Sequence, residues 1–220
     1  MPTVIFDFDS TLISCESLEE LQGRHYLDQP ERLQAIHDLT NQGMSGDIPF
    51  SEAIKKRLDL LPPTLSDVMS FAEKAHEYLT PGIDTLIREL HAKGVEVWLI
   101  SGGLLEVLLA VGAKLQIPAD RIRAVQLLWN KDGSFDSLDP NDPFSVSKYD
   151  GAKTCASLWS TPRIMVGDGM TDYDVYAQGL SDHFIAFTQH VSRTAVLNKG
   201  CPEAPDIQSL SSMIKDLLSR

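Results

Sequence analysis

The sequence predicts an α/β protein, with a doubly wound, mainly parallel sheet and a small helical cap inserted after the first strand. Short apolar runs typical of buried strands recur at residues 4–6, 95–100, 164–166 and 183–187. Stretches with helical spacing of apolar residues lie between them, and such alternation favours a parallel sheet covered by helices on both faces. Residues 14–79, in contrast, hold amphipathic helical segments and no strand-like run.

The first strand is predicted at residues 4–6, where branched and aromatic side chains follow one another. The helical insert comes next, with loops expected at residues 41–49 and 61–63. We expect residues 1–13 and 80–220 to form the core domain. Residues 14–79, the cap segment, are expected to cover the strand tips and to exclude water there.

The later elements follow from local signals. Residues 81–90 predict a helix that begins with a proline and ends before Gly94. Residues 104–115 and 210–218 have the same helical spacing. An Asp-Gly turn within residues 130–135, flanked by an apolar run at 125–129, predicts a β-hairpin.

Composition excludes several classes of protein. The chain has 31 acidic and 19 basic residues and a formal net charge of -12, which repels nucleic acid and anionic membranes, so neither is expected as a partner. Its three cysteines lack metal-ligand spacing, which argues against a disulfide framework or a zinc site. No leader-like segment precedes Val4 and no apolar run approaches the roughly 18 residues of a membrane span. A cytoplasmic setting is expected.

Two carboxylates, Asp7 and Asp9, follow the first predicted strand. An aspartate can form a covalent acyl-phosphate intermediate, so Asp7 is the candidate nucleophile toward phosphorus. Asp9 points to the same side as Asp7 if the chain stays extended. There it is able to protonate a leaving alcohol and then to activate water, which makes it the candidate general acid and base.

Two acidic groups this close repel each other unless a cation intervenes. Mg²⁺ favours oxygen ligands and binds substrate phosphates, so the sequence predicts a magnesium site that includes Asp7 and Asp9. A second apolar run, at residues 164–166, ends in a Gly-Asp-Gly sequence centred on Asp168. Asp168 is the third predicted ligand, direct or through water, and Asp172 is predicted to orient the others.

A phosphate-binding element is predicted at Ser101, Gly102 and Gly103, which follow the run at residues 95–100. Backbone N–H groups and the serine hydroxyl at the start of a helix are able to approach phosphate oxygens. The phosphate also needs a fixed cation. Lys148, upstream of a predicted short helix, is the candidate, and Lys153 is the alternative.

These residues also have ordinary structural interpretations. Aspartates after strands often form turns or cap helices, Ser-Gly-Gly is a common loop, and lysines usually lie on solvated surfaces. Two acidic motifs at strand ends in one chain favour the chemical interpretation.

The motifs Asp-x-Asp-Ser-Thr, Ser-Gly-Gly, a lysine and Gly-Asp-Gly-x-x-Asp occur in this order along the chain. In this the chain resembles phosphatases of the haloacid dehalogenase superfamily, and the resemblance covers the whole sheet domain. It implies a phosphoaspartyl intermediate on Asp7 and Mg²⁺ as the cofactor.

The cap segment narrows the resemblance, because DFDSTLISCESLEEL and GMSGDIPFSEAIKKRLDLL are similar to the phosphoserine phosphatase family. That resemblance implies that Glu16 contacts the substrate amine and that Arg57 meets the substrate carboxylate. Met44, Gly46 and Phe50 fit the family's M-x-G-x-x-x-F pattern, and the two larger side chains would form a dry wall. The structural alternatives are a solvated acid, a surface basic cluster and cap core.

The predicted function is that of a Mg²⁺-dependent phosphomonoesterase that hydrolyses O-phosphoserine, a small phosphorylated amino acid, to serine and phosphate. Other possibilities are another small phosphate ester and transfer to a second alcohol such as homoserine. A signalling module phosphorylated on Asp7, as in response-regulator receivers, and a protein phosphatase are also possible. A receiver needs no leaving-group acid such as Asp9, and an enclosing cap favours a small substrate. Oligomeric state is not predicted.

Overall fold

A six-stranded sheet forms the centre of the fold in a computed structural model that describes residues 1–25 and 29–219. All of its strand pairs are parallel, and their order is β3-β2-β1-β6-β7-β8. A separate antiparallel hairpin is formed by β4 and β5. The strands are β1 (Thr3–Phe6), β2 (Glu96–Leu104), β3 (Ile122–Val125), β4 (Leu127–Trp129), β5 (Phe135–Leu138), β6 (Arg163–Gly167), β7 (His183–Phe187) and β8 (Glu203–Ala204). The predicted fold class and the predicted hairpin are confirmed.

The helices lie between these strands and after the last one. They are α1 (Ser17–His25), α2 (Pro30–Ser45), α3 (Phe50–Leu60), α4 (Leu65–Lys74), α5 (Ile83–Ala92), α6 (Leu105–Lys114), α7 (Lys148–Lys153), α8 (Met170–Ala177), α9 (Thr194–Leu197) and α10 (Ile207–Leu218). No helix in these described ranges has the length and apolar character needed to cross a bilayer.

The strand order reverses between β1 and β6. The chain moves outward in one direction through β2 and β3, and in the other through β7 and β8. Right-handed crossovers therefore place the connecting helices on opposite faces of the sheet. The result is a crevice at the carboxyl ends of β1 and β6, where open α/β sheets bind their ligands.

The centre of the sheet is buried away from solvent. Val4, Ile5 and Phe6 of β1 have no solvent exposure, because both faces of the strand are covered. This explains why the strand is a continuous apolar run rather than an alternating one.

The cap segment contains α1 to α4, and the chain enters and leaves it at adjacent points. Ile13 pairs with Leu79 in an isolated antiparallel bridge, and Thr80 N donates to Leu12 O at 2.9 Å. These contacts support the predicted boundaries at 13/14 and 79/80, although the division into core and cap stays a prediction.

Three local predictions are wrong. The loop expected at residues 41–49 begins only after Ser45, because Gly46, at φ 80°, ends α2 in the left-handed region that favours glycine. The strand expected to stop at residue 100 continues to Leu104, so Ser101 to Gly103 belong to β2 and not to a helix start. Val125, expected in the hairpin, is the last residue of β3, a strand that the sequence analysis did not identify.

Candidate active site

Asp7 and Asp168 are the first residues after β1 and β6, the two neighbouring strands at the crevice. Asp7 N donates to Val166 O at 2.9 Å, which continues the pairing of the two strands. Both aspartates are only 1% exposed. The sheet therefore holds two predicted site residues side by side and away from solvent.

The chain after Asp7 turns sharply. Asp9 is still extended, but Ser10 has φ 52°, in the left-handed region, and the turn is closed by Ile13 N, which donates to Phe8 O at 3.1 Å. The segment doubles back, so that Ser10 Oγ donates to Glu16 Oε1 at 2.9 Å and Ser17 N donates to Asp9 Oδ1 at 2.9 Å. The predicted acid Asp9 and the predicted amine ligand Glu16 are thus held in the same turn.

Asp172 joins the site from the first turn of α8. Its Oδ2 accepts a hydrogen bond from Gly169 N at 3.0 Å, and its side chain is buried. A Cβ at Gly167 would lie 2.3 Å from Asp172 Cγ. Only glycine at this position leaves room for the carboxylate.

Lys148 is the cation at the centre of the cluster, which decides between the two predicted lysines. Its Nζ lies 2.5 Å from Asp172 Oδ1 and 2.8 Å from Asp7 Oδ1. Burial by itself lowers the pKa of Lys148, but the carboxylates of Asp172 and Asp7 outweigh this effect and raise it. Lys153, in contrast, is exposed at the far end of α7.

Arg193 is a buried site residue that the sequence analysis missed. Its Nε donates to Asp168 Oδ2 at 2.7 Å, and its terminal nitrogens contact Asn41 Oδ1 at 3.2 Å and Glu16 Oε1 at 3.4 Å. Arg193 follows β7 on the carboxyl side of the sheet. An arginine after a predicted strand was the available signal, but no motif accompanied it.

The predicted residues of the cap segment reach the strand ends. Phe50 packs so closely on Gly102 that a Cβ there would lie 2.6 Å from the ring, and Met44 packs in the same way on Gly169. The backbone of Gly46 lies against Met170. The cap segment therefore covers the site with the Met-Gly-Phe set expected from the family resemblance.

Arg57, on α3, is buried near Glu16. Burial raises the pKa of Glu16, and the positive charges of Arg57 and Arg193 act against that rise. Arg57 Nε is buried and has no hydrogen-bond partner among the residues that the structure describes. This unsatisfied donor is available to an anionic ligand.

Ser101 and the two glycines lie at the end of β2. Ser101 is buried, and its Oγ accepts a hydrogen bond from Gly103 N at 3.0 Å. A Cβ at Gly103 would lie 3.0 Å from Asp9 Oδ2. The phosphate-binding element predicted from the sequence is therefore adjacent to the candidate acid.

An open cleft of about 580 Å³ runs beside the cluster, between the cap segment and the loop before α7. Gly46, Phe50, Lys148 and Met170 are among its lining residues. The cleft therefore borders the residue that carries the cation of the acidic cluster.

Three carboxylates are arranged to hold a metal ion. Within the described residues, Asp7, Asp168 and Asp172 form the cluster in which one oxygen of each lies within 4.8 Å of the others. Asp168 Oδ1 is buried and finds no hydrogen-bond partner in the described part of the chain, as expected of an oxygen that a cation would satisfy. Asp172, predicted to orient the ligands, is thus in this cluster, and Asp9, predicted as a ligand, is not.

Crowding and burial change the acidity of these groups. Burial, followed by the charges of Glu16 and Asp7, raises the pKa of Asp9 to about 8. Burial, followed by the charge of Asp7, raises the pKa of Asp172 to about 7. The pKa of Asp168 is also raised, chiefly by burial. Burial and mutual repulsion therefore favour the protonated forms of these carboxyl groups.

We expect the metal-free protein to lose stability as the pH rises from about 5 to 8. The folded state binds more protons than the unfolded state in this range, because the pKa values of Asp9 and Asp172 are raised to about 8 and about 7. Its free energy of unfolding should therefore fall with pH, by roughly 1 kcal/mol or more. Urea denaturation in chelator at several pH values measures this slope.

The variant Asp9→Asn should show a flatter slope, and the exposed-site control Asp136→Asn should keep the wild-type slope. If the free energy of unfolding of wild type rose with pH, and rose more than that of Asp9→Asn, the proposed proton retention would be contradicted.

Comparison with known proteins gives consistent results. The haloacid dehalogenase-like hydrolase family matches residues 4–175. A chloroplastic phosphoserine phosphatase of Arabidopsis thaliana is 36% identical over 200 residues, covering 88% of this chain and 65% of its own length. A phosphoserine phosphatase of Bos taurus is 33% identical over 196 residues, covering 88% of this chain and 84% of its own.

A solved structure agrees with these sequence matches. The crystal structure of a phosphoserine phosphohydrolase-like protein from Francisella tularensis has a TM-score of 0.94 and 39% identity, and covers 97% of this chain and 100% of that one. The resemblance predicted from the motifs is confirmed. The chain belongs to the haloacid dehalogenase-like hydrolase family.

Proposed function

We propose that this protein is a Mg²⁺-dependent phosphomonoesterase that hydrolyses O-phosphoserine through a phosphoaspartyl intermediate on Asp7. The observation that carries the proposal is the buried cluster in which Lys148 Nζ lies 2.8 Å from Asp7 at the end of a central strand. A carboxylate beside a fixed cation is able to meet a phosphate without prohibitive repulsion. The similarity to phosphoserine phosphatases supports the choice of substrate.

We assign the metal to Asp7 and Asp168, with Asp172 beside them. The grounds are the mutual proximity of their oxygens and the unpartnered Asp168 Oδ1. Mg²⁺ suits this donor set, because it prefers carboxylate oxygens and shares its ligand shell with a substrate phosphate. When bound, it would reduce the negative charge that the nucleophile and the phosphate present to each other. Asp9 stays a predicted ligand.

The first chemical step is attack of an Asp7 carboxylate oxygen on phosphorus. The bond between phosphorus and the serine oxygen breaks, and Asp9 gives its proton to that oxygen. Burial raises the pKa of Asp9, which favours the protonated form that this transfer needs. Lys148, Ser101 and the amides of Gly102 and Gly103 stabilise the phosphoryl oxygens.

In the second step water attacks phosphorus and the bond to Asp7 breaks. Asp9, now ionised, takes the proton from water, so the enzyme returns to its starting form with serine and phosphate released. Ser17 N, 2.9 Å from Asp9 Oδ1, holds the carboxylate in place through both steps.

The amino-acid part of the substrate needs an anion for its ammonium group and a cation for its carboxylate. Glu16 supplies the anion and Arg57 the cation, because an arginine is able to hydrogen-bond both carboxylate oxygens. The buried and unpartnered Arg57 Nε supports that assignment. Met44, Gly46 and Phe50 close the site over the substrate.

Burial favours a small substrate. Asp7 and Asp168 are almost inaccessible under the cap segment, so a phosphopeptide is less compatible with the site. We place the reaction in amino-acid biosynthesis and in the cytoplasm. The cysteine pattern, three cysteines without the spacing of a disulfide framework, supports the cytoplasmic assignment.

The proposal is tested by measuring phosphate release with Mg²⁺ from phosphoserine, phosphothreonine, phosphoethanolamine, glycerol phosphate and a phosphopeptide. We expect phosphoserine to give the highest kcat/KM and chelator to abolish turnover. Homoserine is added in a parallel assay, and phosphohomoserine would reveal transfer in place of hydrolysis. Preference for another ester, or activity that survives chelation, would contradict the substrate or the metal assignment respectively.

We expect Arg57→Ala to weaken the reaction of phosphoserine by about 1.5–3 kcal/mol, because a charged hydrogen bond to the substrate carboxylate is lost. Phosphoethanolamine lacks that carboxylate and should be affected much less. Steady-state kcat/KM for the two substrates measures the difference. The control is Lys56→Ala, which removes an exposed cation from the same helix. An equal loss on both substrates would contradict the proposed contact.

A further inference from the structure

Arg193 joins the cap segment to the core. Two of its contacts are in the cap segment, Asn41 Oδ1 at 3.2 Å and Glu16 Oε1 at 3.4 Å, and the third is Asp168 Oδ2 at 2.7 Å in the core. The position of Arg193 therefore depends on a side chain, Asn41, that belongs neither to the acidic cluster nor to the predicted substrate contacts.

A hydrogen-bonded chain continues from Asn41 to the protein surface. Asn41 Nδ2 lies 3.0 Å from His37 Nε2, and His37 Nδ1 lies 3.2 Å from Glu19 Oε2. We call Glu19, His37, Asn41 and Arg193 the Asn41 relay. Asn41 and His37 are one turn apart on α2, and Glu19 is on α1.

The arginine sets the direction of every hydrogen bond in the relay. A guanidinium group only donates, so Asn41 must turn its carbonyl oxygen toward Arg193 and its amide nitrogen toward His37. His37 Nε2 must then be a bare acceptor. The single ring proton of neutral His37 is left on Nδ1, where Glu19 accepts it.

A second proton on His37 is incompatible with this arrangement. Both ring nitrogens then donate, so Nε2 is no longer able to accept from Asn41. If Asn41 turns its carbonyl toward His37, its amide faces Arg193, and two donors oppose each other. In either orientation one contact of the relay is lost.

The charged groups beside His37 are carboxylates. Within the described residues, the ionisable group in contact with it from another element is Glu19 of α1. On its own helix, Asp38 is hydrogen-bonded to Gln34. His37 is 56% exposed and is therefore able to exchange protons with solvent.

We propose that Asn41 and His37 are positioning residues that hold Arg193 against Asp168 and Glu16, and that protonation of His37 releases this hold. When the Asn41 amide turns toward Arg193 instead, the arginine loses one of its two cap contacts, next to a proposed metal ligand and the proposed ammonium ligand. Substrate turnover falls as the pH decreases through the range in which histidines protonate, about pH 8 to 5. The kinetic consequence rests on the proposed function, whereas the hydrogen-bond directions do not.

The first experiment is ¹⁵N NMR of the histidine rings in the full chain without substrate, with His37 assigned from the loss of its signals in His37→Gln. At a pH where the ring is neutral, we expect a proton on Nδ1 and a bare Nε2. Free histidine favours the opposite tautomer, and removal of both ring partners in Glu19→Ala/Asn41→Ala should restore it. A proton on Nε2 in wild type, or no change in that double variant, would overturn the relay.

The second experiment compares the pH profile of kcat/KM for phosphoserine between wild type and variants. The comparison cancels the ionisation of the substrate, because every enzyme is given the same substrate. As the pH falls from about 8 to 5, the kcat/KM of wild type should decrease roughly tenfold more than that of His37→Gln. The side-chain carbonyl of the glutamine accepts a hydrogen bond from Asn41 at any pH. Asn41→Asp should also flatten the profile, because a carboxylate accepts from both Arg193 and protonated His37. The control His183→Gln changes the amino end of β7, at the opposite edge of the sheet, and should reproduce the wild-type profile.

Parallel profiles for wild type and His37→Gln would overturn the link to turnover even if the tautomer is as expected. Absence of phosphoserine turnover in wild type, with the expected NMR result, would instead contradict the proposed function and leave the relay intact.

Discussion

Asp7→Asn should reduce kcat for phosphoserine by a factor on the order of 10⁴ or more, the scale seen when an enzyme loses its nucleophile. An amide oxygen is a poor nucleophile toward phosphorus, and the substitution also removes one carboxylate from the proposed metal cluster. Steady-state phosphate release measures the loss. Mass spectrometry of acid-quenched enzyme should find a phosphorylated Asp7 peptide in wild type and none in the variant.

The matched control is Asp136→Asn, an exposed aspartate of the hairpin, which should retain wild-type turnover. Turnover by a clean preparation of Asp7→Asn within tenfold of wild type would exclude Asp7 as the nucleophile. A phosphorylated peptide elsewhere in the chain would identify the residue that takes its place.

Lys148→Met should damage both stability and activity. The lysine pairs with Asp7 and Asp172 in a buried cluster, and removal of one partner from a buried ion pair typically costs about 3–5 kcal/mol because charge is left uncompensated. Loss of the cation beside the phosphoryl group should also lower kcat by about 10²–10³-fold, as for other preorganised electrostatic contacts. Urea denaturation in chelator and steady-state kinetics with Mg²⁺ measure the two effects separately.

Lys153→Met provides the control, since it removes an exposed lysine from the same helix. It should change the free energy of unfolding by no more than about 0.5 kcal/mol. Equal effects of the two substitutions, or a stable and fully active Lys148→Met protein, would contradict the role assigned to the buried lysine.

Local sequence patterns predicted the sheet and the acidic residues at its edge. The runs at residues 4–6 and 164–166 lie within β1 and β6, because strands buried on both faces are continuously apolar. Once both runs are assigned to one parallel sheet, Asp7 and Asp168 must follow at the same edge. The hairpin was predicted for a similarly local reason, its Asp-Gly turn.

Other features depended on contacts that local patterns do not encode. α2 continues to Ser45 because Gly43 packs closely on Ala53 of α3, where a Cβ would lie 2.9 Å away. β2 continues past its glycines because its pairing with β3, after a register shift that follows Ile100, resumes where Leu104 lies opposite Val125. In both cases a neighbouring element overrides the turn signal of glycine.

The sequence by itself determined four of the six strands of the central sheet, the acidic motifs that follow two of them and the family to which the chain belongs. Only the tertiary structure decided that Lys148, and not Lys153, enters the acidic cluster, and that Asn41 and Arg193, 152 positions apart, meet beside Asp168. The physical reason is the separation along the chain of the residues that interact. Periodicity and turn chemistry are set by neighbours in the chain, whereas the partner of a buried charge is set by which distant segments the packed core brings within hydrogen-bond distance.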